Sequence, residues 1–77
     1  MSTTKSDRTR AQIIEGAVRA LADVGVAAVT TRRIAEACGV RLATLHYHFE
    51  SKSTLLQAVL EALIEEMTQA LRDEIRD

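Results

Sequence analysis

No proline interrupts this 77-residue chain, and only three glycines do. A long proline-free chain rich in Ala, Leu, Glu and Arg has few places to stop a helix. Two of the glycines, Gly25 and Gly39, follow the last apolar position of a helical pattern, where a positive φ closes a helix. From about Thr9, apolar residues recur at helical spacing: Ile13, Ile14, Ala17, Val18, Ala20, Leu21 and Val24. Gly25 suits a left-handed cap after them. Thr30 can cap a second, short helix from about Thr31 to Ala37, with Ile34, Ala35 and Cys38 on its buried side. Gly39 ends it. A third short helix, about Leu42 to Tyr47, places Leu45 and Phe49 on its buried side. Ser51 can cap a fourth helix reaching about Ile75, on the order of 37 Å long. No strand pattern occurs. The expected fold is all-α: a flexible arm over 1–7, a three-helix head over 8–50 and a long fourth helix over 51–77.

Composition narrows the class. Hydrophobic residues make up 47% and charged residues 27%, so the chain is globular rather than disordered. It is small enough to have little core and marginal stability. Cys38 has no internal partner and sits among apolar residues, so a buried thiol is the simple reading. The polar start, MSTTKSDRTR, lacks the apolar run of a signal peptide, and no stretch approaches a membrane span. A cytoplasmic protein is expected. The net charge of −1 conceals a split. Residues 1–52 hold eight Lys/Arg against five acids, and residues 53–77 hold two against six. The N-terminal part can therefore meet an anion that the whole chain, by net charge, does not predict.

The stretch VRLATLHYHFESK, residues 40–52, gathers both histidines, the tyrosine and the phenylalanine. A metal or catalytic site does not follow. His46 and His48 lie two apart, roughly 200° around a helix, whereas a helical metal motif needs a spacing of four. No glycine-rich phosphate loop or clustered acid pair is present, so no cofactor, metal or enzyme activity is expected. What the spacing does give is short helix, glycine turn, short helix. Ala35 is small where the next helix crosses, Gly39 opens the turn, and Val40 and Leu45 pack the second helix on the first. This is the helix-turn-helix pattern, whose second helix enters the major groove of DNA.

The run GVAAVTTRRIAEACGVRLATLHYHFESKSTLLQAV resembles the N-terminal DNA-binding domain of the TetR family of transcriptional regulators. The distinctive parts are TTRRIAEACGV, ATLHYHFESK and the apolar TLLQAV, and the resemblance covers about residues 8–60. It implies an operator-binding regulator, acting as a repressor and as a homodimer on palindromic double-stranded DNA. By the resemblance, Thr31 and Lys52 contact backbone phosphates at two helix starts, and Arg32 reaches a guanine edge. Leu42, Ala43 and Thr44 face the bases, and His46, Tyr47 and His48 lie toward phosphate and groove wall.

Three positions depart from the family's habit. Arg41 stands where a small cap is common; arginine caps poorly but adds a cation. Leu42 replaces a polar residue and can meet only a thymine methyl or exclude a polar edge. His46 replaces a tyrosine and can still donate to a phosphate. Plainer roles compete for some residues: a structural histidine at 48 bonded to nearby backbone, a half-buried ring at Tyr47, an exposed leucine or protein contact at Leu42, and solvated charge at Arg10, Arg19 and Arg33.

The fourth helix carries a stripe, Leu56, Leu60, Leu63, Met67 and Ala70, widened by Leu55, Val59, Ile64, Leu71 and Ile75. Its second half finds nothing in these residues to cover it, which leaves two readings: an excised DNA-binding domain whose continuation covers the stripe, or a homodimer through residues 55–75 in which the stripe pairs with a copy of itself. Members of the resembled family continue into a ligand-binding domain; no small-molecule ligand is expected for these 77 residues. A rival reading keeps the fold but gives up specific DNA binding, with the chain acting as a helical interaction module through its long helix.

Overall fold

The computed structural model describes residues 4–75. They form four helices and, among the described residues, no strand: α1 (Lys5–Ala28), α2 (Thr31–Cys38), α3 (Leu42–His48) and α4 (Lys52–Ile75). The all-α class, the four elements and their order are as expected. The core draws on every helix: Ile13, Ala17 and Ala20 of α1, Val29 after it, Ile34, Ala35 and Cys38 of α2, Leu45 and Phe49 around α3, and Leu55, Ala58 and Val59 of α4. The α1–α2 interface is the most extensive helix pair.

Two boundaries differ from expectation. An arm was expected over 1–7, but α1 already includes Lys5, Ser6 and Asp7. The cause is a reciprocal cap: Asp7 N–H donates to Thr4 Oγ1 (3.0 Å) and Thr4 N–H donates to the Asp7 carboxylate (3.3 Å). The rest of that expectation, residues 1–3, lies outside the described residues. Gly25 takes the positive φ expected of it, but with φ 82° and ψ 165° it is not left-handed helical. That region is open almost only to glycine. It swings the chain into one more turn, closed by Val29 N–H on Gly25 C=O (3.1 Å), and drives Val29 into the core.

The caps of α2 set up the turn. Thr30 Oγ1 accepts from Arg33 N–H at 3.0 Å. At the other end Gly39 is left-handed (φ 73°, ψ 28°). Val40 N–H returns to Ala35 C=O and Gly39 N–H to Glu36 C=O, a Schellman closure. The last two carbonyls are taken from behind: Arg19 Nη2 donates to Ala37 C=O (2.9 Å) and Gln12 Nε2 to Cys38 C=O (2.6 Å). All four carbonyls that a helix end leaves open thus find donors. Because Thr30 is exposed, Thr30→Ala removes the cap and little else. The expected cost is about 1 kcal/mol, read as a melting point lower by roughly 4–8 °C.

Ser51 caps α4 as expected, its Oγ accepting from Thr54 N–H at 3.2 Å. The face of α4 turned to the head is Leu55, Ala58 and Val59. A dimer surface through 55–75 therefore cannot use its first residues, which already lie in the core. Leu60, Leu63, Ile64, Met67, Leu71 and Ile75 remain exposed.

Candidate nucleic-acid interface

A helix of seven residues has almost no stability of its own, so α3 exists because two anchors hold it. Leu45 is fully buried within it, and Phe49, its C-cap, is 2% exposed. Anchoring that side leaves Ala43, His46 and Tyr47 exposed at i, i+3 and i+4, one ridge along the outer face. Tyr47 is 82% exposed, so the half-buried ring considered for it is not what the fold gives.

The other expected site residues surround this ridge. Thr44 and His48 are half-buried on its flanks. Arg41 is the N-cap of α3 with no side-chain cap bond, as an arginine there would be. Arg32 is exposed in the first turn of α2, beside half-buried Thr31. Lys52 is half-buried and is the first residue of α4. Leu42 is the residue the structure moves: it packs partly against the core rather than standing outward with Ala43. The reason is its place three residues before Leu45, on the shoulder of the buried side.

His48 makes no side-chain hydrogen bond among the described residues. Its ring meets Tyr47 edge-on (5.1 Å between centroids, 88°) and tilts against Phe49 (6.4 Å). With Arg10, Gln57 and Glu61 it lines a shallow groove between α1 and α4. No group of three or more His, Cys, Asp or Glu converges among the described residues.

Three arginines expected to be plain solvated charge have partners. Arg10 lies over the Phe49 ring, 5.1 Å from its centroid. Arg19 holds the end of α2. Arg33 pairs with Asp23 on a half-exposed surface, where such a pair adds little stability. Sequence reasoning also missed Gln12, which fixes the turn before α3 from the far side of the head. Each acts across a distance in sequence, and only the helical phase shared by Gln12, Gly16 and Arg19 hinted that they form one face.

The geometry is that of a reading head: a short outward helix, buried on its inner side and set by a capped turn. Residues 13–59 match the family model described as bacterial regulatory proteins, tetR family. The chain belongs to the TetR family. Among relatives, it is 46% identical over 61 residues to the HTH-type transcriptional regulator TtgR of Pseudomonas putida, covering 79% of this chain and 29% of that protein. It is 44% identical over 55 residues to the tetracycline repressor protein class C of Escherichia coli, covering 71% and 25%. Against the class G tetracycline repressor of Vibrio anguillarum, identity is 36% over 75 residues, covering 96% and 35%. The chain thus spans about a quarter to a third of the length of these TetR-family relatives. No solved structure matches it. No helix among the described residues is long and apolar enough to cross a membrane.

Proposed function

We propose that this chain is the DNA-reading head of a TetR-family transcriptional repressor, working in the cytoplasm as a dimer on a two-fold operator. The observation that carries the reading is the ridge of Ala43, His46 and Tyr47 on a helix whose opposite side is fully buried. Such a helix presents a fixed set of side chains to a groove. Ala43 and the Thr44 methyl suit thymine methyl groups, and Tyr47 and His46 can donate to phosphate or a base edge. Arg32 supplies a bidentate donor for guanine. Thr31 and Lys52, each the first residue of a helix, suit phosphates because free N–H groups point outward there. Arg41 adds charge beside them. Leu42 keeps only an edge for contact, since it packs on the core. The interaction-module reading draws on Leu42, Arg41 and the weak net charge; the packing of Leu42 on the core weakens the first of these.

The test is an anisotropy titration of the chain with random and selected duplexes at two salt concentrations. Affinity is expected to fall steeply as salt rises, because released counterions drive phosphate binding. Lys52→Ala should weaken all duplexes alike. Arg32→Ala should cost roughly 1–3 kcal/mol on the preferred site and relax preference at one base position. Absence of binding at low salt would sink the proposal.

A further inference from the structure

The end of α2 is tied to α1 at two points that its own closure does not need. The Schellman turn already gives the Ala35 and Glu36 carbonyls their donors. The Ala37 and Cys38 carbonyls are taken by side chains of α1, Arg19 at 2.9 Å and Gln12 at 2.6 Å. The first bond is exposed and the second only partly buried. A carbonyl that water can reach gains little net stability from a protein donor. What a side-chain tether adds there is direction. Gln12 and Arg19 stand on one face of α1, two helical turns or about 10 Å apart. Between them lies Gly16, where the Cys38 backbone comes against α1. One tether would leave the end of α2 free to pivot about that contact; two, on either side of it, hold it. Only Gly39, Val40 and Arg41 separate that end from α3, and α2 is the helix on which α3 packs most extensively. The direction of the end of α2 therefore passes to α3.

We propose that Gln12 and Arg19 are positioning residues for DNA reading: they set the angle at which α3 is presented, and through it the preference of the chain for its operator over other DNA. The inference rests on the DNA-reading role proposed above and adds to it two residues outside the ridge of Ala43, His46 and Tyr47. Base edges are read by hydrogen bonds and close apolar contacts, which fail when a side chain is misplaced by a fraction of its bond length. Phosphate attraction is long-ranged and carries no sequence information. A small rotation of α3 thus costs base reading before it costs phosphate holding. Loss of either tether should lower discrimination and leave general DNA affinity standing, the opposite of the pattern expected for Lys52→Ala.

The test compares two probes: the duplex that the parent chain enriches from a random-sequence library, and a scrambled duplex of the same composition. The readout is the ratio of the two affinities. An unfolded fraction lowers both apparent affinities by the same factor, so a merely structural role does not move this ratio. Gln12→Leu keeps bulk and loses the donor; Arg19→Met does the same at the second tether. Each should reduce the ratio about tenfold, the discrimination of one good base contact. Affinity for the scrambled duplex, and its salt dependence, should stay near the parent's. Arg19→Lys keeps a donor and should retain most of the preference. Both positions are exposed, and circular dichroism checks that the variants fold. A parent chain that prefers no duplex removes the operator-reading role and this inference with it. A parent with a preference that Gln12→Leu and Arg19→Met leave intact overturns this inference alone. So does a flatter salt dependence in Arg19→Met, which would make Arg19 a phosphate contact, or an equal loss in Arg19→Lys and Arg19→Met.

Discussion

Phe49→Ala is expected to unfold the head. The ring is 2% exposed, and truncating a buried phenylalanine costs about 3–5 kcal/mol. A core of this size rarely supplies more than about 3–5 kcal/mol in total. Phe49 also does more than fill volume. Its N–H closes α3 on Leu45 C=O (2.9 Å), and its ring carries the Arg10 guanidinium above it. Loss of the ring frees one of the two fully buried anchors of a seven-residue helix. Far-UV circular dichroism should show the helical signal falling, and DNA binding should go with it. Phe49→Leu keeps much of the burial and should fold with a lowered urea midpoint. Arg10→Ala removes only the cation above the ring, at a cost of about 0.5–1 kcal/mol. If Phe49→Ala melts within a few degrees of the parent, α3 is held by something other than this anchor.

What could be read from the sequence was local. Thr30, Gly39 and Ser51 each act within four residues of themselves, and each caps where its chemistry says it should. Leu45 and Phe49 as core follow from a spacing of four. The start of α1 is equally local but carries a weaker sign: its reciprocal cap uses Asp7 where a glutamate is usual. Gly25 showed its sign of φ but not its ψ, which depends on where Val29 must be buried.

The face of α4 was ambiguous for a different reason. Apolar residues line both sides of its N-terminal half, and periodicity cannot say which side meets the head. The fold chose Leu55, Ala58 and Val59 and left Leu60 out. Leu42 was uncertain in the same way, standing on the shoulder between the buried and exposed sides of α3. Arg19 and Gln12 were invisible because their partners, the Ala37 and Cys38 carbonyls, are 18 and 26 residues away. A family pattern identifies the reading helix; it does not show what holds that helix at its angle.

Gly16 is the sharpest case, and its replacement is the second large effect expected. It lies inside α1, where alanine should be better by about 1 kcal/mol on helix propensity alone. In the structure a Cβ at this position would sit 2.3 Å from Cys38 Cβ, 2.8 Å from Cys38 Cα and 2.9 Å from Cys38 N. Two of those atoms are backbone, so no side-chain rotation relieves the overlap. α1 and α2 would have to separate along their largest interface. Overpacking of this kind costs about 1–3 kcal/mol and occasionally more. The steric term should win, and Gly16→Ala is expected to lower stability by about 2 kcal/mol, or roughly 8–16 °C in melting point. The separation also draws Gln12 and Arg19, which lie on the same face of α1 on either side of Gly16, away from the carbonyls they hold. The turn into α3 should loosen, and the variant that still folds in the cold should bind DNA more weakly than its folded fraction explains. A thermal melt decides between the two terms. A higher melting point for Gly16→Ala would mean that propensity governs and that α1 and α2 do not cross this closely.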